Sequence, residues 1–313
     1  MRLPKDILKI PDLSRAQVDL ILKEAFRFKN KKGPASASDQ VLRGKAVALI
    51  FEKNSLRTRV AFEAAISYLG GQPIFLSGED ILYRADKDTS RESIEDITRT
   101  LDRLAHGIAA RVKRHKTLVD IAAVSRNPLI NLLCDTHHPT QAISDVMTIR
   151  WHKGKKKVKV TFVGDGNNVA TSLMDICALM GHDFSIASPQ GYEIKKDLRE
   201  NASRTAAKSK SKIEFLRDPK EAVLNADVVY TDTFVSMGDE GETARREKDF
   251  VRYRVDAKLM SHAKKDALFM HCLPAHRESE VSAEVMDGRW SVIFDEAEAR
   301  LHVAKALLYL LFR

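Results

Sequence analysis

Phe51-Glu52-Lys53-Asn54-Ser55-Leu56-Arg57-Thr58-Arg59 follows an apolar run at residues 47–50 and precedes an amphipathic stretch ending at Gly70-Gly71. The pattern reads as a strand, a polar turn and the start of a helix. A helix start offers unpaired backbone N–H groups and a partial positive charge, which together solvate an anion such as phosphate. Ser55 and Thr58 add hydroxyl donors, and Arg57 adds a planar fork that grips two phosphate oxygens at once. An ordinary N-cap with solvated arginines uses the same residue types, so this segment alone leaves both readings open.

Further polar groups stand at the ends of other apolar runs. His137-His138-Pro139-Thr140-Gln141 brings a histidine and a glutamine that could orient a carbonyl, although His138 is equally a structural hydrogen-bonding residue in isolation. Arg111 is a third contact for an anion or a carbonyl. Phe162-Val163-Gly164-Asp165-Gly166-Asn167-Asn168-Val169 looks like a dinucleotide loop, but valine stands at 169 where the third glycine belongs. Asn167 and Asn168 suit an amino-acid carboxylate better than a pyrophosphate. Asp232-Thr233-Phe234-Val235-Ser236-Met237-Gly238 follows another apolar run, and the polar segment from 238 to 243 reads as a mobile, closing loop. Met270-His271-Cys272-Leu273-Pro274 presents a thiol at a strand end, where a buried, inert cysteine is the usual alternative.

The elements that hold these groups follow from hydrophobic spacing. Val18, Ile21, Leu22, Ala25 and Phe26 recur at helical period and predict an opening helix that ends near Lys32-Gly33. Short apolar runs at 47–51, 73–76, 107–112 and 128–133 then alternate with helical stretches, as in a parallel sheet covered on both faces. After a helix over 140–151, a second series of strands is predicted at 158–163, 184–187, 213–216, 228–231, 267–270 and 292–294. The fold class is therefore α/β: two doubly wound parallel-sheet domains joined by interdomain helices. The first domain spans 1–146, with a C-terminal helix over 297–313 packing back on it, and the second spans 147–296. The site is expected between them, because ligands of open α/β sheets lie beyond the carboxyl ends of the strands.

The composition excludes several classes. With 313 residues, 44% hydrophobic and 30% charged, the chain has the makeup of an ordinary globular protein and no apolar run of membrane-spanning length. Its first residues lack a secretory signal, so a cytoplasmic location is expected. Cys134, Cys177 and Cys272 are scattered singly, without zinc or disulfide spacing. The net charge of +9 is dispersed and only 7% of residues are aromatic, which favours attraction of a small anion over nucleic-acid binding. The basic clusters at 153–159 and 195–212 read as solvated faces.

In this order and spacing, Ser55-Leu-Arg-Thr58, His138-Pro-Thr-Gln141, Gly164-Asp-Gly-Asn-Asn168, Asp232 with Ser236-Met-Gly238, and His271-Cys-Leu-Pro274 resemble the carbamoyltransferases. The first two motifs are shared by the aspartate and ornithine branches; Ser-Met-Gly and His-Cys-Leu-Pro point to ornithine. The resemblance reaches Asp295-Glu-Ala-Glu-Ala-Arg300, which is similar to the family's C-terminal arginine motif. It implies that Ser55, Leu56, Arg57 and Thr58 hold the phosphate of carbamoyl phosphate. It also implies that Arg111, His138 and Thr58 polarise the carbamoyl carbonyl. Gln141, the Leu273 carbonyl and Arg300 would anchor the carbamoyl group and the leaving phosphate. Asp232 and Cys272 would align the side-chain amine of L-ornithine, with Asn168, Ser236 and Met237 on its α-amino and α-carboxylate end. The carry-over further implies loop closure around 236–250, no metal or other cofactor, and a homotrimer or multiple of trimers.

Some positions depart from the family pattern: Leu56 stands for a threonine, Phe234 for a tryptophan and Ala299 for an asparagine. The segment 78–88 is longer and more charged than expected, which bears on the neighbouring subunit's site that this loop completes in the family. The rival readings are transfer to another amine, N-acetylornithine or putrescine, and a non-catalytic binding protein on the same fold. The proline-rich insertion of acetylornithine enzymes is absent before His271, and Arg57, His138, Asp232 and Cys272 are all present.

Overall fold

A computed structural model of the chain describes residues 1–78, 92–235 and 240–313. Most of the 78–88 loop, together with Ser236 and Met237, lies outside the described residues. The chain forms two compact units, Met1–Met147 with Glu298–Arg313, and Thr148–Ala297. The helices Pro139–Lys153 and Ile293–Phe312 carry the chain across the boundaries between the units.

In the first unit the opening helix is Arg15–Asn30, started by Ser14 and Gln17, which exchange hydrogen bonds in a capping box. Its buried face runs through Val18, Ile21, Leu22, Ala25 and Phe28; Phe26 is only partly covered. Four parallel strands follow: β1 (Ala46–Phe51), β2 (Gln72–Ser77), β3 (Gly107–Arg111) and β4 (Leu129–Leu133), in the order β2-β1-β3-β4. Ile50, Ile108, Ala110, Leu118, Ile121 and Leu129 form part of the core between sheet and helices. Phe312, near the end of the last helix, packs against Gly107, where a Cβ would lie 2.5 Å from its ring.

The second unit holds β5 (Lys159–Val163), β6 (Asp183–Ala187), β7 (Ile213–Leu216), β8 (Val228–Tyr230) and β9 (Leu268–Met270), all parallel, in the order β7-β6-β5-β8-β9. The strand expected at 292–294 does not form. The ladder continues past β9 only as a single bridge between Phe269 and Ser291, and helix Ile293–Phe312 takes over. Asp295 and Glu296 fall in its first turn, where acidic side chains oppose the positive end of the helix dipole, so the acidic run outweighs the β-branched pair Val292-Ile293. Both strand orders reverse beside the first strand of the sheet, which is the arrangement of a doubly wound α/β layer. Among the described residues no helix is long and apolar enough to cross a membrane.

Candidate active site

In the first unit the polar motifs gather at the carboxyl ends of β1, β3 and β4. Ser55 leaves β1 in an extended conformation and caps helix Leu56–Tyr68, its Oγ accepting the Thr58 N–H at 3.4 Å. The Ser55 hydroxyl donates to Thr58 Oγ1 at 3.0 Å, and Arg300 donates to the same oxygen. The N-cap reading is seen directly, and the same cap orders the two hydroxyls that an arginine from the C-terminal helix meets. Leu56 turns its side chain outward, 73% exposed, and Arg57 follows it in the first turn.

Arg111 closes β3 and is buried; His138 and Gln141 are buried at the start of helix Pro139–Lys153. Gln141 Nε2 donates to Asp145 Oδ1 at 2.8 Å, so this glutamine is oriented by its own helix. Burial, followed by the positive charges of Arg300 and Arg111, holds the His138 pKa well below its ordinary value. His138 is thus a neutral imidazole among cations. A neutral ring beside two guanidinium groups is able to donate a hydrogen bond to an anionic oxygen.

In the second unit the corresponding ends belong to β5, β8 and β9. Gly164 has a φ of 142°, and a Cβ on Gly166 would lie 2.2 Å from Ile194 N, so both glycines are required by the backbone. Gly166→Ala is expected to lower the thermal midpoint by several degrees, with calorimetry as the readout; an unchanged midpoint would show that the 193–194 backbone yields freely. Asn167 then caps helix Asn168–Met180, Oδ1 accepting from Val169 N and Ala170 N. Its Nδ2 donates to Asp232 Oδ2 at 2.8 Å.

Asp232, just past β8, is the hub of this half. Its Oδ1 accepts the Thr233 N–H at 2.8 Å and the Cys272 thiol at 3.2 Å. Cys272 is partly exposed, unlike Cys134 and Cys177, which are buried. Burial pushes the Cys134 thiol up to about 11, as expected of an inert cysteine. Leu273 adopts a left-handed φ of 59°, uncommon for a residue with a branched side chain, and its N–H donates to His271 Nδ1 at 2.9 Å. Asp232, His271 and Cys272 have potential ligand atoms within 4.8 Å of one another. Within this cluster His271 Nδ1 accepts from Leu273 and the Cys272 proton is directed at Asp232.

The structure brings Ser55, Thr58 and Arg300 together, sets Arg111 and Arg300 where their charges act on His138, and pairs Asp232 with Cys272. Asn168 sits in the first turn of its helix, one residue past the asparagine that holds Asp232. Asn167, which the sequence pairs with Asn168 as a contact for an amino-acid carboxylate, is here the helix cap and a donor to Asp232. Arg246 carries the local signal of an i,i+4 pair with Glu242, but its other contacts are distant: it is buried and donates to Asp165 Oδ2, 81 residues away, at 2.6 Å and to the Phe234 carbonyl at 3.0 Å. It belongs to helix Thr243–Phe250, whose Phe250 is buried, so the C-terminal part of the segment expected to close is anchored to the glycine turn.

Residues 5–151 match the carbamoyl-P binding domain of the aspartate/ornithine carbamoyltransferases, and residues 156–311 match their Asp/Orn binding domain. Ornithine carbamoyltransferase of Bacillus subtilis (strain 168) is 46% identical over 97% of this chain and 92% of its own length. The structure of ornithine carbamoyltransferase from Pyrococcus furiosus superposes with a TM-score of 0.91 at 44% identity, covering 97% of this chain and 96% of that one. An acetylornithine transcarbamylase complexed with acetylcitrulline has a TM-score of 0.86 at 28% identity, covering 98% of each chain. The chain belongs to the aspartate/ornithine carbamoyltransferase family.

Proposed function

We propose that this protein transfers the carbamoyl group of carbamoyl phosphate to the side-chain amine of L-ornithine, releasing L-citrulline and phosphate. The observation that carries the reading is the Asp232–Cys272 pair, a carboxylate holding a partly exposed thiol at 3.2 Å beside the Leu273 turn. That pair suits a cationic amine. The Ser55, Thr58, Arg111 and Arg300 set suits a phosphorylated acyl donor.

Ser55, Thr58, Arg57 and the backbone N–H of Leu56 hold the phosphate. Arg111, Thr58 and neutral His138 donate toward the carbamoyl oxygen, where negative charge grows as the tetrahedral intermediate forms. Gln141, the Leu273 carbonyl and Arg300 orient the carbamoyl group and the departing phosphate. The ornithine amine has a solution pKa of about 10.4 by analogy with lysine, so it sheds one proton before attack. Asp232 and Cys272 direct the resulting lone pair, while Asn168, Ser236 and Met237 hold the other end of the amino acid. The new C–N bond forms at the carbamoyl carbon, the C–O bond to phosphate breaks, and the nitrogen passes its second proton to the departing phosphate. Fixing both reactants in line accounts for a large part of the acceleration. The protein acts in the cytoplasm as a homotrimer or a multiple of trimers.

The acetylornithine relative shows that the fold accommodates a modified amine, so the test is a substrate panel. L-ornithine, N-acetylornithine, putrescine and L-aspartate are each assayed with carbamoyl phosphate. Preferred formation of citrulline supports the reading; preference for another amine, or turnover with none, overturns it. Leu56 leads to a second expectation. Its exposed side chain gives the phosphate no hydroxyl, so Leu56→Thr is expected to tighten carbamoyl phosphate binding by about 0.5–1.5 kcal/mol, the value of one hydrogen bond. A KM for carbamoyl phosphate that stays put in Leu56→Thr would place that hydroxyl outside the site.

A further inference from the structure

His271 and Glu280 are both fully buried, and neither belongs to the roles assigned above. His271 Nδ1 accepts the Leu273 N–H, and a nitrogen that accepts carries no proton, so the neutral ring bears its proton on Nε2. That Nε2 makes no hydrogen bond within normal limits, but it faces Glu280 Oε1 at 3.4 Å. Glu280 Oε1 accepts the His276 N–H at 2.6 Å, while Oε2 has no partner. Buried polar atoms are rarely left unpaired, and here a donor nitrogen and an acceptor carboxylate confront each other inside the protein. Burial alone raises the Glu280 pKa, but the hydrogen bonds the group receives, the His276 N–H among them, outweigh it and leave the group below its ordinary value, hence an acceptor. The other groups around the ring are consistent with this assignment. Glu296 Oε2 accepts the backbone N–H of His271 at 2.9 Å, and the His276 ring lies 3.6 Å from the same Glu280 oxygen.

We propose that Glu280 is a positioning residue for the reaction: by keeping His271 in its Nε2–H form, it leaves Nδ1 as the acceptor that fixes the Leu273 amide and, with it, the Cys272-Leu273 turn. Leu273 holds an unfavourable left-handed backbone, and the Nδ1 bond is a restraint that keeps it there. Reversing the tautomer would set two N–H donors against each other at Leu273. The Cys272 thiol and the Leu273 carbonyl would then shift relative to Asp232. The proposal rests on the reading of the site as a carbamoyltransferase centre, and the test separates the two.

Glu280→Gln keeps the shape of the side chain but offers His271 either a donor or an acceptor, so it no longer selects the tautomer. Glu280→Asp keeps the charge and withdraws it by one methylene. Both are compared with the wild type for thermal midpoint, kcat, the two KM values and the rate of Cys272 alkylation by iodoacetamide. Cys272→Ala serves as the labelling blank. In Glu280→Gln, kcat is expected to fall about 10- to 100-fold with little change in the KM for carbamoyl phosphate, as for a sub-ångström to ångström displacement of reacting groups. The Cys272 alkylation rate changes with it, and Glu280→Asp recovers part of both. Wild-type kcat and alkylation in a folded Glu280→Gln protein overturn the proposal. If Glu280→Gln does not fold, Glu280→Asp decides alone, with a reduced kcat and an altered alkylation rate expected and wild-type values overturning. A wild-type protein that makes no citrulline sinks the carbamoyltransferase reading, while the alkylation rates still judge the role of Glu280.

Discussion

Asp232→Asn is expected to lower kcat/KM for L-ornithine by about 10²- to 10³-fold, the effect of removing one member of a buried, hydrogen-bonded charge pair. The wild-type carboxylate accepts three hydrogen bonds, from Thr233 N, Cys272 Sγ and Asn167 Nδ2, and is almost wholly buried. Those donors hold it aimed, so an approaching ammonium meets a carboxylate already fixed in place. Asparagine has nearly the same shape, but one of its two terminal atoms is an NH2 group. Placed at Oδ1, that group confronts the Thr233 N–H and the thiol; placed at Oδ2, it confronts the Asn167 amide. Either orientation sets donor against donor as well as removing the charge. Binding of carbamoyl phosphate is expected to persist, because its proposed ligands Ser55, Thr58, Arg111 and Arg300 lie in the other compact unit. Steady-state kinetics with varied ornithine, beside inhibition by inorganic phosphate, separate the two effects. Near-normal turnover of ornithine by a folded Asp232→Asn protein would remove Asp232 from the mechanism.

The hydrophobic rhythm and the site motifs were legible because each is a local signal. β1 reads as five buried residues in succession, and the glycines at 164 and 166 mark the turn that follows β5. Ser55 is ambiguous between cap and ligand in the sequence; its geometry makes it the cap, which is compatible with the proposed ligand role. The mistaken strand at 292–294 came from weighing two β-branched residues above the acidic pair behind them, whose effect depends on where the helix axis begins. The contact of Arg246 with Asp165 is hidden for a different reason: the chain delivers the partner from 81 residues away, and periodicity carries no information about such meetings. Burial distinguished among the cysteines in the same way, since Cys134, Cys177 and Cys272 are equivalent as isolated residues in the sequence.

The second large effect expected is a loss of stability of the first unit between pH 7 and pH 5. His115, His137, His138 and His302 all lie in that unit, and burial is the leading cause of a lowered pKa in each. For His137 the value is held at about 4, with the nearby His115 and Lys9 charges adding to the effect of burial. In the unfolded chain each ring takes up a proton near pH 6.5; in the folded chain it does not. The unfolded state therefore binds more protons throughout this interval, and stability rises with pH. It is fully present above the unfolded pKa and is lost as the pH falls through it, the loss from His137 levelling off only near pH 4. His137 alone contributes a loss of roughly 2 kcal/mol between pH 7 and pH 5, and the other three act in the same direction. Asp39, a first-unit carboxylate with a lowered value, titrates below this window, whereas burial raises the Asp6 pKa, which opposes the histidines as the pH falls. Hydrogen exchange at pH 7 and pH 5, corrected for the intrinsic rate, is expected to show β1, β3 and β4 losing protection at the lower pH. His137→Gln, which cannot take up the proton, is expected to flatten the slope. Equal corrected protection at both pH values would mean that these rings gain water or a counter-charge before the unit opens, and that the neutral His138 assigned to the site is not maintained.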